Sequence, residues 1–329
     1  MNNTVILSEE KGKDDQKTAF KEEVFNGLSK SPKSLPSKFF YDDQGSQIFS
    51  DITNLDEYYP TKCEYNIFAN HKESIISKIP AYGKINIIEL GAGDGQKTKV
   101  LLEEILKSKR DVEYIPIDIS SFAIKSLLDD LKQNFPELKT FGVVGEYSPG
   151  LKWVREHKKG RNLVLFLGSN LGNFPQDQAT LFLKEIRNAL NIDDFLFIGL
   201  DLKKDISVLL KAYNDSKGLT SQFNLNLLER MNRELGSNFD LESFKHFGTY
   251  DPIKGTMESY LISVQNQSVF FKEDERTFFF RAHEPIHTEY SWKYTPQESV
   301  ELSEKCQFGV VDHFTDSKRY FLNALWKAL

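Results

Sequence analysis

The sequence predicts an α/β chain built on a doubly wound, mostly parallel sheet, with a second lobe made from the N-terminal segment and a late insertion. Three observations support this. Apolar runs of strand length alternate with segments of helical periodicity from residue 84 to about residue 202. The first run ends in glycines at alternate positions, Gly91, Gly93 and Gly95, followed by Val100, Leu101, Ile105 and Leu106 at helical spacing. Beyond residue 202 that alternation stops, and turn-punctuated segments of strand character follow as far as about residue 294.

Taken in order, the polar residues 1–18 are expected to be loose, and a short helix is expected over 19–28. The segment PKSLPSKFFYDDQGS at 32–46 has prolines that forbid regular helix and aromatics that need a surface to pack on. Helical periodicity returns at 47–52 and 63–79. The first sheet strand is 85–90, and the second, 112–119, closes on Asp118. The next helix starts at Ser120 or Ser121, either of which can cap it. A third strand is expected at 140–145, a weak helix at 151–157, and a wholly buried strand at 162–168. A helix at 176–190 and a fifth strand at 195–202 complete the alternation. Helices at 204–214 and 221–235 then lead to antiparallel strands at 255–264, 268–272 and 276–281. A helix at 296–306 and a terminal hairpin, 308–315 with 319–325, close the chain. The expected division is a core of 64–202 with 295–329, and a second lobe of 1–63 with 203–294.

Composition narrows the function. A 329-residue chain with 40% apolar residues can bury a sizeable core, and a net charge of −6 argues against nucleic-acid or anionic-membrane partners. His283 and His287 are four apart, but Pro285 between them argues against a helical metal pair, so no metal is expected. Two cysteines, Cys63 and Cys306, fit a reduced compartment better than a disulfide framework. No signal peptide is expected, and no apolar run approaches twenty residues. The expectation is a soluble, cytoplasmic monomer acting on a small molecule.

The glycine turn carries the first chemical signal. Its spacing is GxGxG with Glu89 two residues ahead, and Gln96 stands where the dinucleotide pattern GxGxxG needs its third glycine. The arrangement is similar to the E/D-x-G-x-G-x-G of class I methyltransferases, which implies S-adenosylmethionine as the cofactor. Ligands of such sheets bind beyond the carboxyl ends of the strands, and that rule selects the candidates. Glu89, Gly91, Gly93 and Gly95 would lie at the methionine portion of the cofactor. Asp118 would take the ribose hydroxyls, or else cap the next helix. Glu146 and Tyr147 stand where adenine is usually held, or form a surface loop. Lys97 hydrogen-bonds the cofactor carboxylate or is a solvated first-turn lysine. The fourth strand runs into FLGSNLGNF at 166–174, a loop with no His, Asp or Glu. Such a loop can orient an amine without supplying a strong base, which suits N-methylation, where alignment contributes most of the rate.

These segments together resemble the histidine-specific N-alpha-methyltransferases of ergothioneine biosynthesis over nearly the whole chain. The similarity runs through PKSLPSKFFYD at 32–42, LDEYYPT at 55–61, the glycine motif and FLGSNLGN at 166–173. It continues through DLKKD at 201–205, AYND at 212–215, FNLN at 223–226, NREL at 232–235 and TEYSWK at 288–293. The resemblance implies three successive methylations of the α-amine of L-histidine, giving hercynine. It also implies roles: Tyr41 and the Gly168 carbonyl at the amine, Asn173 and Tyr213 at the carboxylate, Glu289 and Ser291 at the imidazole, and Met257 against the ring. Tyr290 and Trp292 depart from the family's smaller residues, and strand alternation would turn both away from the face that Glu289 and Ser291 share. Relatives acting on tryptophan derivatives keep another aromatic or heterocyclic amino acid open as the substrate. The presence of both Met257 and Glu289 favours histidine.

Overall fold

A computed structural model describes residues 3–7, 13–93 and 95–329. In chain order the elements begin with β1 (Thr4–Ile6), α1 (Lys13–Leu28), β2 (Lys33–Ser34), a 3-10 turn (Ser37–Phe40), α2 (Asp43–Thr53) and α3 (Tyr59–Ser77). The alternating region follows with β3 (Ile85–Leu90), α4 (Gln96–Lys107), β4 (Val112–Asp118), α5 (Ser121–Asn134), β5 (Lys139–Thr140) and β6 (Gly142–Val144). It ends with α6 (Tyr147–His157), β7 (Arg161–Phe166), a 3-10 turn (Asn170–Asn173), α7 (Gln176–Ala189) and β8 (Phe195–Asp201). Then come α8 (Ile206–Tyr213), α9 (Leu219–Leu235), β9 (Phe244–Asp251), β10 (Thr256–Ser263), β11 (Gln267–Phe271), β12 (Arg276–Phe280) and β13 (Pro285–Trp292). The last elements are α10 (Pro296–Lys305), β14 (Phe308–Thr315) and β15 (Phe321–Ala328). Among the described residues no helix is long and apolar enough to cross a membrane.

The chain falls into two compact units, Met1–Glu10 with Pro60–Leu202 and Tyr294–Leu329, and Lys11–Tyr59 with Lys203–Lys293. The first unit holds a nine-stranded sheet in the order β1-β6-β4-β3-β7-β8-β15-β14, with β5 beside β4. β3 and β8 are buried at every position, as expected of apolar strands covered on both faces. The strand order reverses at β3, which pairs in parallel with β4 on one side and β7 on the other. A crevice at such a switch point lies beyond the carboxyl ends of the strands, where the glycine turn begins. β15 runs antiparallel to β8, Leu325 opposite Phe197, and β14 pairs antiparallel outside it.

Several expectations are corrected here. The N-terminus is not loose throughout and does not all go with 11–59: Thr4–Ile6 extends the first sheet, parallel to β6 with Val5 opposite Val143. Helix α1 begins at Lys13 rather than 19, while much of the polar tract before it, residues 8–12, lies outside the described residues. The expected third strand is split into two short pieces, β5 and β6. Ser120 is the cap of α5, its hydroxyl accepting from the Ala123 N–H at 3.1 Å.

The second unit is built on a four-stranded sheet in the order β2-β13-β10-β9, with β11 and β12 as a separate ribbon. Its core is aromatic, joining Phe40, Phe223, Phe244, Phe271 and Phe280 with Leu227, Met231 and Leu261. The aromatic segment at 32–46 contributes Leu35 and Phe40 to this core. Helix α9 is held at its start by Asp215, whose carboxylate accepts from the N–H groups of Leu219 (2.9 Å) and Thr220 (2.7 Å). The ladder between β10 and β13 is interrupted: Ser259 faces Glu289 and Tyr260 faces His287, so Thr288 is an extra residue.

That bulge sets the facing of β13. The Thr288 hydroxyl lies 2.9 Å from the Asn224 amide oxygen on α9, and the Ser291 hydroxyl contacts Tyr213 of α8. The rings of His287, Tyr290 and Trp292 gather on the other face, with centroids 4.0 Å and 6.3 Å apart in succession. Tyr290 and Trp292 therefore point away from Ser291, as alternation predicts.

Candidate active site

The first unit positions its candidates at strand ends. Gly91, Gly93 and Gly95 all have positive φ, at 69°, 55° and 65°, a region favouring glycine. A side chain on Gly91 would stand 2.6 Å from the Tyr147 hydroxyl, whereas one on Gly93 would meet nothing within 4 Å. The turn is thus open at Gly93 and closed over by Tyr147 at Gly91. Tyr147 is the first residue of α6, and its ring lies edge-on to Phe166 at 6.2 Å. Burial, with the nearby Asp118 charge, pushes its hydroxyl up to about 12. Asp118 ends β4, where one carboxylate oxygen accepts from the Ser120 N–H at 2.9 Å. Burial raises the Asp118 carboxyl above its ordinary value, against the N–H groups of Ser120 and Ile119. Glu146 is exposed at the start of α6 and makes no capping bond.

Two of the expected cofactor contacts, Glu89 and Lys97, have partners inside the unit. Glu89 accepts from the Thr98 hydroxyl at 2.8 Å and the Tyr114 hydroxyl at 2.5 Å, which brackets the glycine turn between β4 and α4. Burial pushes its carboxyl up to about 7, against those two hydrogen bonds. Lys97 is not a solvated lysine: it pairs with Glu64, a fully buried residue of α3. Glu64 also accepts from the Gly168 N–H at 2.9 Å and the Asn323 amide at 2.9 Å. Ser169, next to Gly168, holds a left-handed φ of 59°, and its hydroxyl accepts from the Asp201 N–H at 3.0 Å. Asn173 closes the following 3-10 turn and is half-buried.

The second unit gathers a different set. Tyr41 follows the 3-10 turn Ser37–Phe40, with its ring held edge-on by Phe49 and Phe223, each at 5.4 Å. The neighbouring Asp42 fixes this turn by accepting from the Gly45 N–H and Asn226, each at 2.8 Å, and by pairing with Arg233. Burial alone would raise the Asp42 carboxyl, but these bonds bring it below its ordinary value. Tyr213 ends α8 and donates to Ser291 at 2.6 Å, and its carbonyl lies 2.9 Å from His246. Met257, fully buried, pairs across the sheet with Ser291, so both side chains share a face. Glu289 is two residues from Ser291 along a regular stretch and shares that face as well. Burial pushes its carboxyl up to about 7, against the charge of Lys293.

Two residues of this face escaped the sequence reading. Lys293, only 2% exposed, donates to both the Tyr213 and Ser291 hydroxyls at 2.8 Å. The Ser259 hydroxyl is buried opposite Glu289 without a hydrogen-bond partner among the described residues. Lys293 closes the TEYSWK segment and could have been singled out there. Ser259 carries no signal outside the folded sheet, and Glu64 none outside its contacts. Among the described residues no group of three or more His, Cys, Asp or Glu side chains could hold a metal ion.

The chain is similar to known proteins over most of its length. Residues 20–328 match a family model described as histidine-specific methyltransferase, SAM-dependent. The chain is 34% identical over 302 residues to the histidine N-alpha-methyltransferase of Mycolicibacterium smegmatis, covering 92% of each. Its identity to the Mycobacterium tuberculosis protein of the same name is 33% over 293 residues, 89% of this chain and 90% of that one. Ergothioneine biosynthesis protein 1 of Schizosaccharomyces pombe is 32% identical over 287 residues, 85% of this chain but 37% of that protein.

Proposed function

The chain belongs to the SAM-dependent histidine-specific methyltransferases, and from that premise we propose that it methylates the α-amine of L-histidine three times to give hercynine, a step of ergothioneine synthesis. The observation that carries the reading is the shared face of Glu289, Ser291 and Met257. It offers an acidic acceptor, a hydroxyl and an apolar thioether to a ring that has two nitrogens and two flat faces. A carboxylate accepts strongly from a ring N–H, and the unsatisfied Ser259 hydroxyl leaves a further polar group for a ligand on that face.

The first unit fits S-adenosylmethionine. The left-handed turn is open at Gly93, and Tyr147 closes over Gly91. Asp118 stands at the end of β4 as the acceptor for the ribose hydroxyls. When bound, this cofactor supplies a methyl group on a sulfonium, open to in-line displacement. The residues then have to align and desolvate the amine, which must already have lost its proton. Within the first unit, the proposed roles are the Gly168 carbonyl for that amine and Asn173 for the carboxylate; within the second, they are the Tyr41 hydroxyl for the amine and Tyr213 for the carboxylate. The 166–174 loop contains no His, Asp or Glu, consistent with orientation rather than strong-base catalysis.

Incubation with S-adenosylmethionine and L-histidine, followed by mass detection, tests this. A product heavier than histidine by three methylene units, with release of S-adenosylhomocysteine, is expected. Turnover of a tryptophan derivative with L-histidine left unconsumed would overturn the substrate assignment.

A further inference from the structure

We propose that one stripe of α9, formed by Phe223, Asn226, Arg230 and Arg233, positions the Tyr41 hydroxyl at the substrate amine, and that it governs the first two methyl transfers but not the third. This rests on the proposed placement of Tyr41 at that amine. The FNLN and NREL segments, which supply three of the four residues, thereby acquire a task.

The four residues are spaced three, four and three apart on the helix Leu219–Leu235, so they share one face. All four reach residues 39–42. The Arg230 guanidinium donates to the Phe39 carbonyl at 3.0 Å. Phe223 packs against the rings of Phe40 and Tyr41, with centroids 4.7 Å and 5.4 Å away. The Asn226 amide donates to one oxygen of Asp42 at 2.8 Å, and Arg233 pairs with the other. Glu234 lies 3.1 Å from Arg230 and 3.4 Å from Arg233, which braces both cations. From the other side α2 closes on the same turn: a side chain on Gly45 would stand 1.8 Å from the Phe40 carbonyl oxygen. Asn226 is 2% exposed, so water is a poor substitute for its amide. A turn tied at Phe39, Phe40 and Asp42 leaves the Tyr41 backbone between them little room to move.

In each transfer the amine lone pair forms the new C–N bond and the C–S bond breaks, its electrons going to sulfur. The ammonium so formed releases a proton to solvent before the next transfer. The free α-amine of L-histidine has two N–H bonds, its monomethyl derivative one and its dimethyl derivative none. The Tyr41 oxygen can accept an N–H wherever its own proton is directed, because a phenol oxygen keeps acceptor capacity while it donates. Held in place, it sets the rotation of the amine about its Cα–N bond and so aims the lone pair, the alignment on which an in-line displacement depends. The dimethylated amine offers no N–H, so the third transfer proceeds without that grip. Asn226, Arg230 and Arg233 are therefore positioning residues, acting on the amine through Tyr41.

The test compares wild type with Asn226→Ala, Tyr41→Phe and the double variant, each shown first to keep a cooperative melting transition. Arg233→Met, at a side chain 47% exposed, stands in should Asn226→Ala fail to fold. Single-turnover rates are measured with S-adenosylmethionine and saturating L-histidine, and again with the Nα,Nα-dimethyl derivative of histidine. Asn226→Ala should slow methylation of L-histidine by about tenfold and leave the dimethyl substrate within about twofold of wild type. Tyr41→Phe should show the same selectivity, and the double variant should fall no further. Arg233→Lys, which keeps a cation for Asp42, should recover most of the L-histidine rate lost in Arg233→Met. Equal slowing of both substrates in Asn226→Ala, or no slowing of either, with Tyr41→Phe still selective, would overturn the inference but keep Tyr41 at the amine. A further fall in the double variant would show Asn226 acting by another route and would overturn it too. An undiminished L-histidine rate in Tyr41→Phe, or equal slowing of both substrates there, would instead overturn the placement of Tyr41, and the inference with it.

Discussion

The Gly168 N–H points at the carboxylate of Glu64, 2.9 Å away, and the same carboxylate receives the Asn323 amide and the Lys97 ammonium. Glu64 thereby ties together the turn after β7, the strand β15 and the first turn of α4. Its position also explains Gly199 on β8, where a side chain would stand 2.3 Å from a Glu64 oxygen. Replacing Glu64 with alanine strands three donors, one of them charged. The expected cost is roughly 2–3 kcal/mol of stability, read as a lower denaturation midpoint. Because the Gly168 turn loses its anchor, kcat should fall as well. A variant with unchanged midpoint and kcat would remove Glu64 as a tie.

Glu289→Ala should weaken L-histidine binding about 30- to 150-fold, the equivalent of leaving a ring N–H without its charged acceptor at roughly 2–3 kcal/mol. S-adenosylhomocysteine binding should not change. Titration calorimetry with each ligand separates the two, and an undiminished histidine affinity would take Glu289 out of the site.

Asp118→Ala should show the opposite pattern. Two ribose hydroxyls lose their acceptor, and S-adenosylhomocysteine affinity should drop by about tenfold or more. Histidine affinity, measured with cofactor product at saturation, should survive. Unaltered cofactor binding would return Asp118 to the plainer task of receiving the Ser120 N–H.

Protonation of Glu289 sets a pH dependence. Its carboxyl is pushed from 4.5 up to about 7 in the folded protein, by burial. Between those values the folded state holds a proton that the unfolded state has released. The stability contribution of this group is therefore present below about 4.5 and lost as pH rises through about 7. The ionised form is the stronger acceptor for a ring N–H, so the rise in melting temperature produced by L-histidine should grow as pH increases through about 7. Thermal scans of wild type and Glu289→Gln should differ in that slope. Equal slopes would mean that another group, such as the substrate's own imidazole, is responsible.

Much of the first unit was legible because its signals are local. Mostly apolar runs mark β3, β7 and β8, and the rule that ligands lie beyond strand ends selects Asp118 and the Gly91–Gly95 turn as candidates. The misses are long-range. Thr4–Ile6 is too short to show a period and becomes a strand only by pairing with residues 142–144. Lys97 reads as a cofactor contact or a solvated first-turn lysine, and its pairing with Glu64, 33 positions earlier, leaves no local signal. In the second unit the alternation of Glu289, Tyr290, Ser291 and Trp292 was readable, but its failure one residue upstream was not. A bulge depends on how two strands slip past each other, and β13 alone does not contain that information.

The extra residue at Thr288 has a further consequence. It divides β13 into two phases, each with its own task. Upstream, Ile286 lies in the apolar core and the Thr288 hydroxyl engages α9, so this half anchors the strand. Downstream, regular alternation resumes, and Glu289 and Ser291 share the face of Ser259 and Met257, where we place the substrate ring. The phase shift insulates one half from the other. Substitutions at 289 and 291 should therefore leave the anchor at 286–288 in place, which would make the downstream half a separable cassette for selecting the amino acid.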